Sequence, residues 1–124
     1  MIHGVGTDLV YIPRLQKMLD EKKFAFFRHV FSEYEREHGS SAQYFAARFA
    51  VKEAVFKAVH ASFDFRIIET MNLEDGKPVI RETEAVRKLF DDNGIDRVEI
   101  SIAHEQDYAS AFAVAIRKEK GRNE

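Results

Sequence analysis

Glu53 and Lys57 stand four residues apart in the run Phe45-Ala-Ala-Arg48-Phe49-Ala-Val-Lys52-Glu53-Ala-Val-Phe56-Lys57-Ala58. That spacing puts a carboxylate and an ammonium on one helical face. On an open surface such a pair adds only a few tenths of a kcal/mol, roughly. Here Phe45 and Phe49 precede Glu53 on the same row, so the face is partly apolar. Charges next to a buried stripe are costly unless they have partners or a task. One such task needs a second carboxylate, and Asp8 ends the run Gly4-Val5-Gly6-Thr7-Asp8. Alone, Asp8 reads as a turn residue or a helix cap. Paired with Glu53, it could hold a hard cation. Mg²⁺ is typically bound by one or two carboxylates, with waters and substrate phosphates completing its shell. Arg48, Lys52 and Lys57 would then face the remaining phosphate charge. These pieces suit phosphoryl or phosphodiester transfer, where positioning and charge neutralisation dominate.

Two further features could serve such a site. His104 follows Ser101-Ile102-Ala103 at the end of an alternating segment, just before Glu105-Gln106-Asp107. A lone histidine is commonly structural, but this position would leave its ring free to meet a ligand. Residues 11–29 carry Arg14, Lys17, Lys22, Lys23 and Arg28 against Asp20 and Glu21. Either this is a solvated helix face, or it docks an acidic partner with Met18 and nearby phenylalanines as apolar anchors.

The elements that must carry these residues follow from pattern. Ile2–Leu9 reads as a glycine-interrupted strand. Pro13 suits the first turn of a helix over 13–20, and a short helix follows over 22–30. Ser32 followed by Glu35 resembles a capping box, and Gly39 reads as a stop. Ser40 with Gln43 opens the long helix, which runs to about His60. Arg66–Leu73 and Lys77–Arg81 read as strands joined by the Asp75-Gly76 turn. Thr83–Asn93 is helical and stops at Gly94. Arg97–Ala103 and Tyr108–Ile116 alternate, the latter with Ala109, Ala111, Ala113 and Ala115 on one face. That alanine face predicts close packing against a helix. The fold class is α+β, one domain over 1–117, with an antiparallel sheet of about five strands on a long central helix and shorter helices. Residues 118–124 form a charged tail.

Bulk properties exclude several classes. The chain has 124 residues, a net charge of -2 and no cysteine. Nucleic-acid binding gains no support from that charge balance. Disulfides and thiolate metal sites are ruled out, which fits a cytoplasmic setting. No apolar run approaches the roughly 18 residues of a membrane span, and no signal peptide is evident.

The motifs, taken together, resemble the 4′-phosphopantetheinyl transferases. Gly6-Thr7-Asp8 resembles their first signature. Phe49-Ala-Val-Lys52-Glu53-Ala54-Val-Phe-Lys57 resembles their second, Phe-x-x-Lys-Glu-Ser/Ala-x-x-Lys. The N-terminal aspartate, Gly76-Lys77-Pro78 and Ser101-Ile-Ala-His104 point to the short holo-(acyl-carrier-protein) synthase branch. The resemblance spans residues 1–116. It implies transfer of 4′-phosphopantetheine from coenzyme A to a serine of an apo acyl carrier protein, releasing adenosine 3′,5′-bisphosphate. By motif, Asp8 and Glu53 would hold Mg²⁺ and Lys57 would contact a phosphate and could protonate the leaving group. Glu53, directly or through water, could take the serine proton, and Arg48 and His104 would contact nucleotide phosphate. Arg14 and Met18 fall where the family docks its acidic carrier, and Phe49 could wall the pantetheine or carrier groove. The branch is typically a homotrimer with sites between subunits, so Asp8 and Glu53 could meet across a chain boundary.

Two departures from the family pattern stand out. Residues 58–65 read Ala-Val-His-Ala-Ser-Phe-Asp-Phe, where the branch usually has a glycine-rich loop, and Ala103 replaces a hydroxyl residue. A non-catalytic module that docks an acidic partner, and a different Mg²⁺-dependent phosphotransferase or hydrolase, are the competing readings.

Overall fold

The structure is a computed structural model and describes residues 1–119. Strand β1 (Ile2–Tyr11) leads into three short helices, α1 (Ile12–Asp20), α2 (Phe24–Val30) and α3 (Glu33–His38). The long helix α4 (Ala42–Val59) follows, then a 3-10 turn at Phe65–Ile67 and a ribbon of β2 (Thr70–Asn72) and β3 (Pro78–Ile80). Helix α5 (Glu84–Asp92) and the hairpin β4 (Ile95–Glu105) and β5 (Tyr108–Arg117) follow.

Caps and turns set most boundaries. Ser32 and Glu35 make the full capping box of α3. Thr83 caps α5 through the Val86 amide. The α4 cap is Ser41, whose Oγ accepts from the Tyr44 amide at 3.1 Å, one residue beyond the expected start at Ser40. At its other end α4 stops on His60 with φ of 62°, the left-handed conformation that glycine usually supplies at this point.

Among the described residues five antiparallel strands are present, but they divide into two sheets: β1-β5-β4 and the β2-β3 ribbon. The expected strand over 66–73 is shortened at its start. Asp64 accepts from the Arg66 amide at 2.9 Å and grips its guanidinium, which turns the chain into a 3-10 segment there. Lys77 ties the ribbon to β4 through Glu99 at 3.2 Å.

Helix α4 lies across one face of the three-stranded sheet. Ala109, Ala111, Ala113 and Ala115 of β5 are all buried beneath it, and Ala50, Ala54 and Ala58 answer from the helix. A Cβ on Gly6 would fall 2.9 Å from Lys57 Cβ and closer still to the Ala54 carbonyl oxygen. The helix therefore meets β1 almost backbone to backbone. Beside this layer, Phe26, Phe27, Phe31, Phe45 and Phe49 interlock through edge-to-face and stacked rings. The other face of the sheet carries Val5, Leu9 and Phe112, all exposed.

The expected tail is described only to Glu119. Lys118 is anchored, its amide donating to Gly94 O and its ammonium pairing with Asp91 at 2.7 Å. Residues 120–124 lie outside the described residues. Among the described residues, no helix is long and apolar enough to cross a membrane.

Candidate active site

The close approach of β1 and α4 brings three of the sequence-selected residues together. Asp8 sits on β1, paired with Ala111 of β5, on the side that faces α4. Lys57 lies opposite on the helix. Its Nζ donates to the Thr7 carbonyl at 2.8 Å and to Asp8 Oδ1 at 3.4 Å. An ammonium has three donors, so a third is left for a ligand. The pair is not sealed: side-chain exposure is 48% for Lys57 and 20% for Asp8.

Glu53 is half-buried one helical turn before Lys57. Burial pushes its carboxyl pKa up, and the negative charge of Asp8 pushes it further, with Lys57 opposing. The charge of Asp8 thus reaches Glu53 within one chain. Among the described residues no cluster of three or more His, Cys, Asp or Glu could hold a metal ion. Two carboxylates suffice for Mg²⁺ when substrate phosphates and waters supply the rest of its shell. A cation beside Glu53 would offset both the Asp8 charge and the cost of burying the carboxylate.

Arg48 and His104 meet elsewhere. Both line a cleft of about 450 Å³ with Ser41, Thr70 and Asn72, and that cleft includes none of Asp8, Glu53 or Lys57. The Arg48 guanidinium lies 3.6 Å from the centre of the Tyr44 ring, a cation–π contact that orients it. His104 Nε2 is 3.3 Å from Gln43 Nε2. The site residues therefore form two groups, a carboxylate–lysine cluster and a cationic cleft.

The remaining selected residues lie on the helical side. Arg14 is exposed on α1. Met18 lines a cleft of about 230 Å³ with an apolar floor of Phe27 and Phe45 and a rim of Lys22, Lys23, Arg28 and Arg36. None of these four cations has an ion-pair partner among the described residues. Phe49 is half-buried and packs edge-on against Phe26.

One expectation is overturned. Lys52 does not face a phosphate: its side chain is 0% exposed and its ammonium pairs with Glu35 at 2.9 Å. Because α4 is apolar nearly all round, the charges in its sequence do not mark one wet face. Glu35 was hidden in a capping box, and Tyr44, Thr70 and Asn72 carry no motif; only the fold gathers them.

Known proteins resemble this chain in sequence and in fold. The sequence model described as the 4′-phosphopantetheinyl transferase superfamily matches residues 4–114. A holo-[acyl-carrier-protein] synthase of Thermodesulfovibrio yellowstonii is 38% identical over 120 residues, covering 92% of this chain and 98% of that protein. That of Halothermothrix orenii is 35% identical over 121 residues, covering 92% and 97%. The crystal structure of the Neisseria meningitidis synthase aligns with a TM-score of 0.83 at 34% identity, over 94% of this chain and 100% of that one. The Helicobacter pylori synthase, solved in complex with coenzyme A, aligns at 0.76 with 26% identity, over 90% and 98%. The expectation drawn from the motifs holds, and the chain belongs to the 4′-phosphopantetheinyl transferase superfamily, as a transferase of its holo-[acyl-carrier-protein] synthase branch.

Proposed function

We propose that this protein is a cytoplasmic, Mg²⁺-dependent enzyme that moves 4′-phosphopantetheine from coenzyme A to a serine hydroxyl of an apo acyl carrier protein. The observation that carries this reading is the meeting of Asp8, Glu53 and Lys57 where β1 touches α4. Asp8 and Glu53 would hold the Mg²⁺, which when bound supplies positive charge against the pyrophosphate. Glu53, with its raised pKa, is suited to accept the serine proton as the oxygen attacks the pantetheine-side phosphorus. The bond to the second phosphate breaks, and adenosine 3′,5′-bisphosphate leaves. Lys57 offers its free donor to the departing phosphate, which it can stabilise or protonate. Arg48 and His104 suit the nucleotide phosphates, given their shared cleft.

The separation of that cleft from the carboxylate cluster supports a homotrimer in which one subunit's cleft faces a neighbour's carboxylates. An uncovered apolar sheet face is what such an assembly would bury. The unpaired cations around Met18, with Arg14 and Phe49 nearby, support docking of the acidic carrier.

The test incubates the protein with Mg²⁺, coenzyme A and apo carrier, and reads one added phosphopantetheine by intact mass. Absence of transfer to every cognate apo carrier would sink the proposal. Asp8→Ala and Glu53→Ala should each lower kcat roughly 100-fold or more while leaving the melting temperature near the parent's. Arg14→Glu should raise the KM for the carrier and spare that for coenzyme A.

A further inference from the structure

Lys52 is the one lysine in the described chain with no exposed side-chain surface at all. Its three donors are all spent: on Glu35 Oε1 at 2.9 Å, on the Phe65 carbonyl at 2.7 Å and on the Ile68 carbonyl at 2.6 Å. Glu35 Oε1 also accepts from the Ser32 amide, and Ser32 Oγ donates to Glu69. One ammonium thus joins α3, α4 and the 65–68 turn. Stability alone does not explain such a group. Replacing a buried ion pair by apolar side chains of similar volume is often neutral, or stabilising by about 1–4 kcal/mol. Burial pulls the Lys52 pKa down, with Glu35 opposing, and Glu35 Oε2 is buried with no partner.

What the clamp holds, through the Phe65 and Ile68 carbonyls, is the segment that follows α4. There Phe63 and Phe65 lie with ring centres 5.3 Å apart, and both meet Phe56, at 6.2 and 6.0 Å. Phe56 is three residues beyond Glu53 on α4, so the two are neighbours on the helix surface. Phe56 is exposed. The three rings make an aromatic wall beside the candidate base.

We propose that Lys52 is a positioning residue of this enzyme: by fixing the Phe65 and Ile68 carbonyls to α4 it sets the Phe56–Phe63–Phe65 wall and the adjacent Glu53 in their working arrangement. Lys52 reaches neither coenzyme A nor the carrier, since it has no exposed surface. It acts through the backbone it holds. The effect on rate rests on the transferase reading; the effect on the turn does not.

The experiment is the double substitution Glu35→Leu with Lys52→Met, which removes both charges and keeps an apolar interior. The expected result is a melting temperature at or above the parent's with kcat lowered about 10-fold, as for other groups that orient a site. The KM for coenzyme A should change far less than kcat. Amide exchange of Ile67 and Ile68, which bond to Asp64 and Phe65 carbonyls, should accelerate at the same time. Parental kcat with a parental melting temperature would overturn the proposal, as would unchanged exchange at those two amides. If the double variant does not fold, Lys52→Gln is compared with Lys52→Met at a temperature where both are folded. Glutamine can still donate to the two carbonyls, so it should recover part of kcat; equal rates would refute the positioning role. A parent protein that transfers nothing in this assay would defeat the transferase reading, and the exchange measurement would still decide whether Lys52 holds the turn.

Discussion

The two faces of the β1-β5-β4 sheet are made of opposite material. Under α4 the strands offer Gly4, Gly6 and the four alanines of β5. On the other side they offer Val5, Leu9 and Phe112, with Val114 and Ile116 half-buried. The first face gives up side-chain volume to obtain closeness. That closeness places Lys57 within reach of the Thr7 carbonyl and Asp8, so the candidate site depends on atoms that are missing. The second face presents area, with Leu9 63% and Phe112 48% exposed. Apolar area of this kind favours burial by about 25 cal/mol per Å². One face sets the geometry of a single chain; the other leaves apolar area in contact with solvent, which the proposed homotrimer would bury.

The largest effect is expected from filling the close face. Gly6→Ala drives a methyl against the Ala54 carbonyl, which is backbone and cannot rotate away. Overpacking of this sort costs about 3 kcal/mol at its upper range. We expect a large drop in melting temperature, and transfer lost even at temperatures where the protein remains folded, because Lys57 and Asp8 are forced apart. A Gly6→Ala protein with the parent's stability and rate would mean that contact distance is not what the small residues are for.

The bare face is broken in the opposite way. Leu9→Glu with Phe112→Glu adds charge at two positions exposed among the described residues, so the fold should lose little, within roughly 0.5 kcal/mol per site. If the proposed homotrimer forms through this face, self-association, measured by sedimentation, should be abolished, and transfer should fall about 10-fold or more with it because the cationic cleft would lose a neighbour's carboxylates. Full activity from a monomeric variant would show that one chain suffices.

The legibility of these features from the sequence divides along the same line. The alanine alternation at 109–115 announced a helix packed close above it, since a period of two fixes which residues share a face. Asp8, Glu53 and Lys57 could be joined because motif order brought them together before any coordinates did. Lys52 misled, because a helix buried on most of its circumference gives no hydrophobic stripe against which a charge can be judged outside or in. The strand over 66–73 was overextended because its apolar residues fit a strand, while a local bond from Asp64 to the Arg66 amide won. The cleft holding Arg48 and His104 draws on residues from α4, β2, β3 and β4, and no spacing in the chain relates them.

The smallest effect is the most specific to the close face. In metal-free protein the Glu53 carboxyl should titrate above the ordinary glutamate value of about 4.3, for burial first and the Asp8 charge second. Asp8→Asn removes a negative neighbour, so the pKa should fall, though not to the ordinary value, because burial persists. Lys57→Met removes a positive neighbour, so it should rise. Carbon-detected titration of the Glu53 side chain reads both shifts directly. Protonated Glu53 can neither bind a cation nor accept a proton, so transfer should fail at low pH. Gly6→Ala should act like a weak Asp8→Asn, since moving β1 away from α4 weakens the repulsion between the carboxylates. If Glu53 titrates alike in all four proteins, the two carboxylates do not sense each other, and the close face does not build the site.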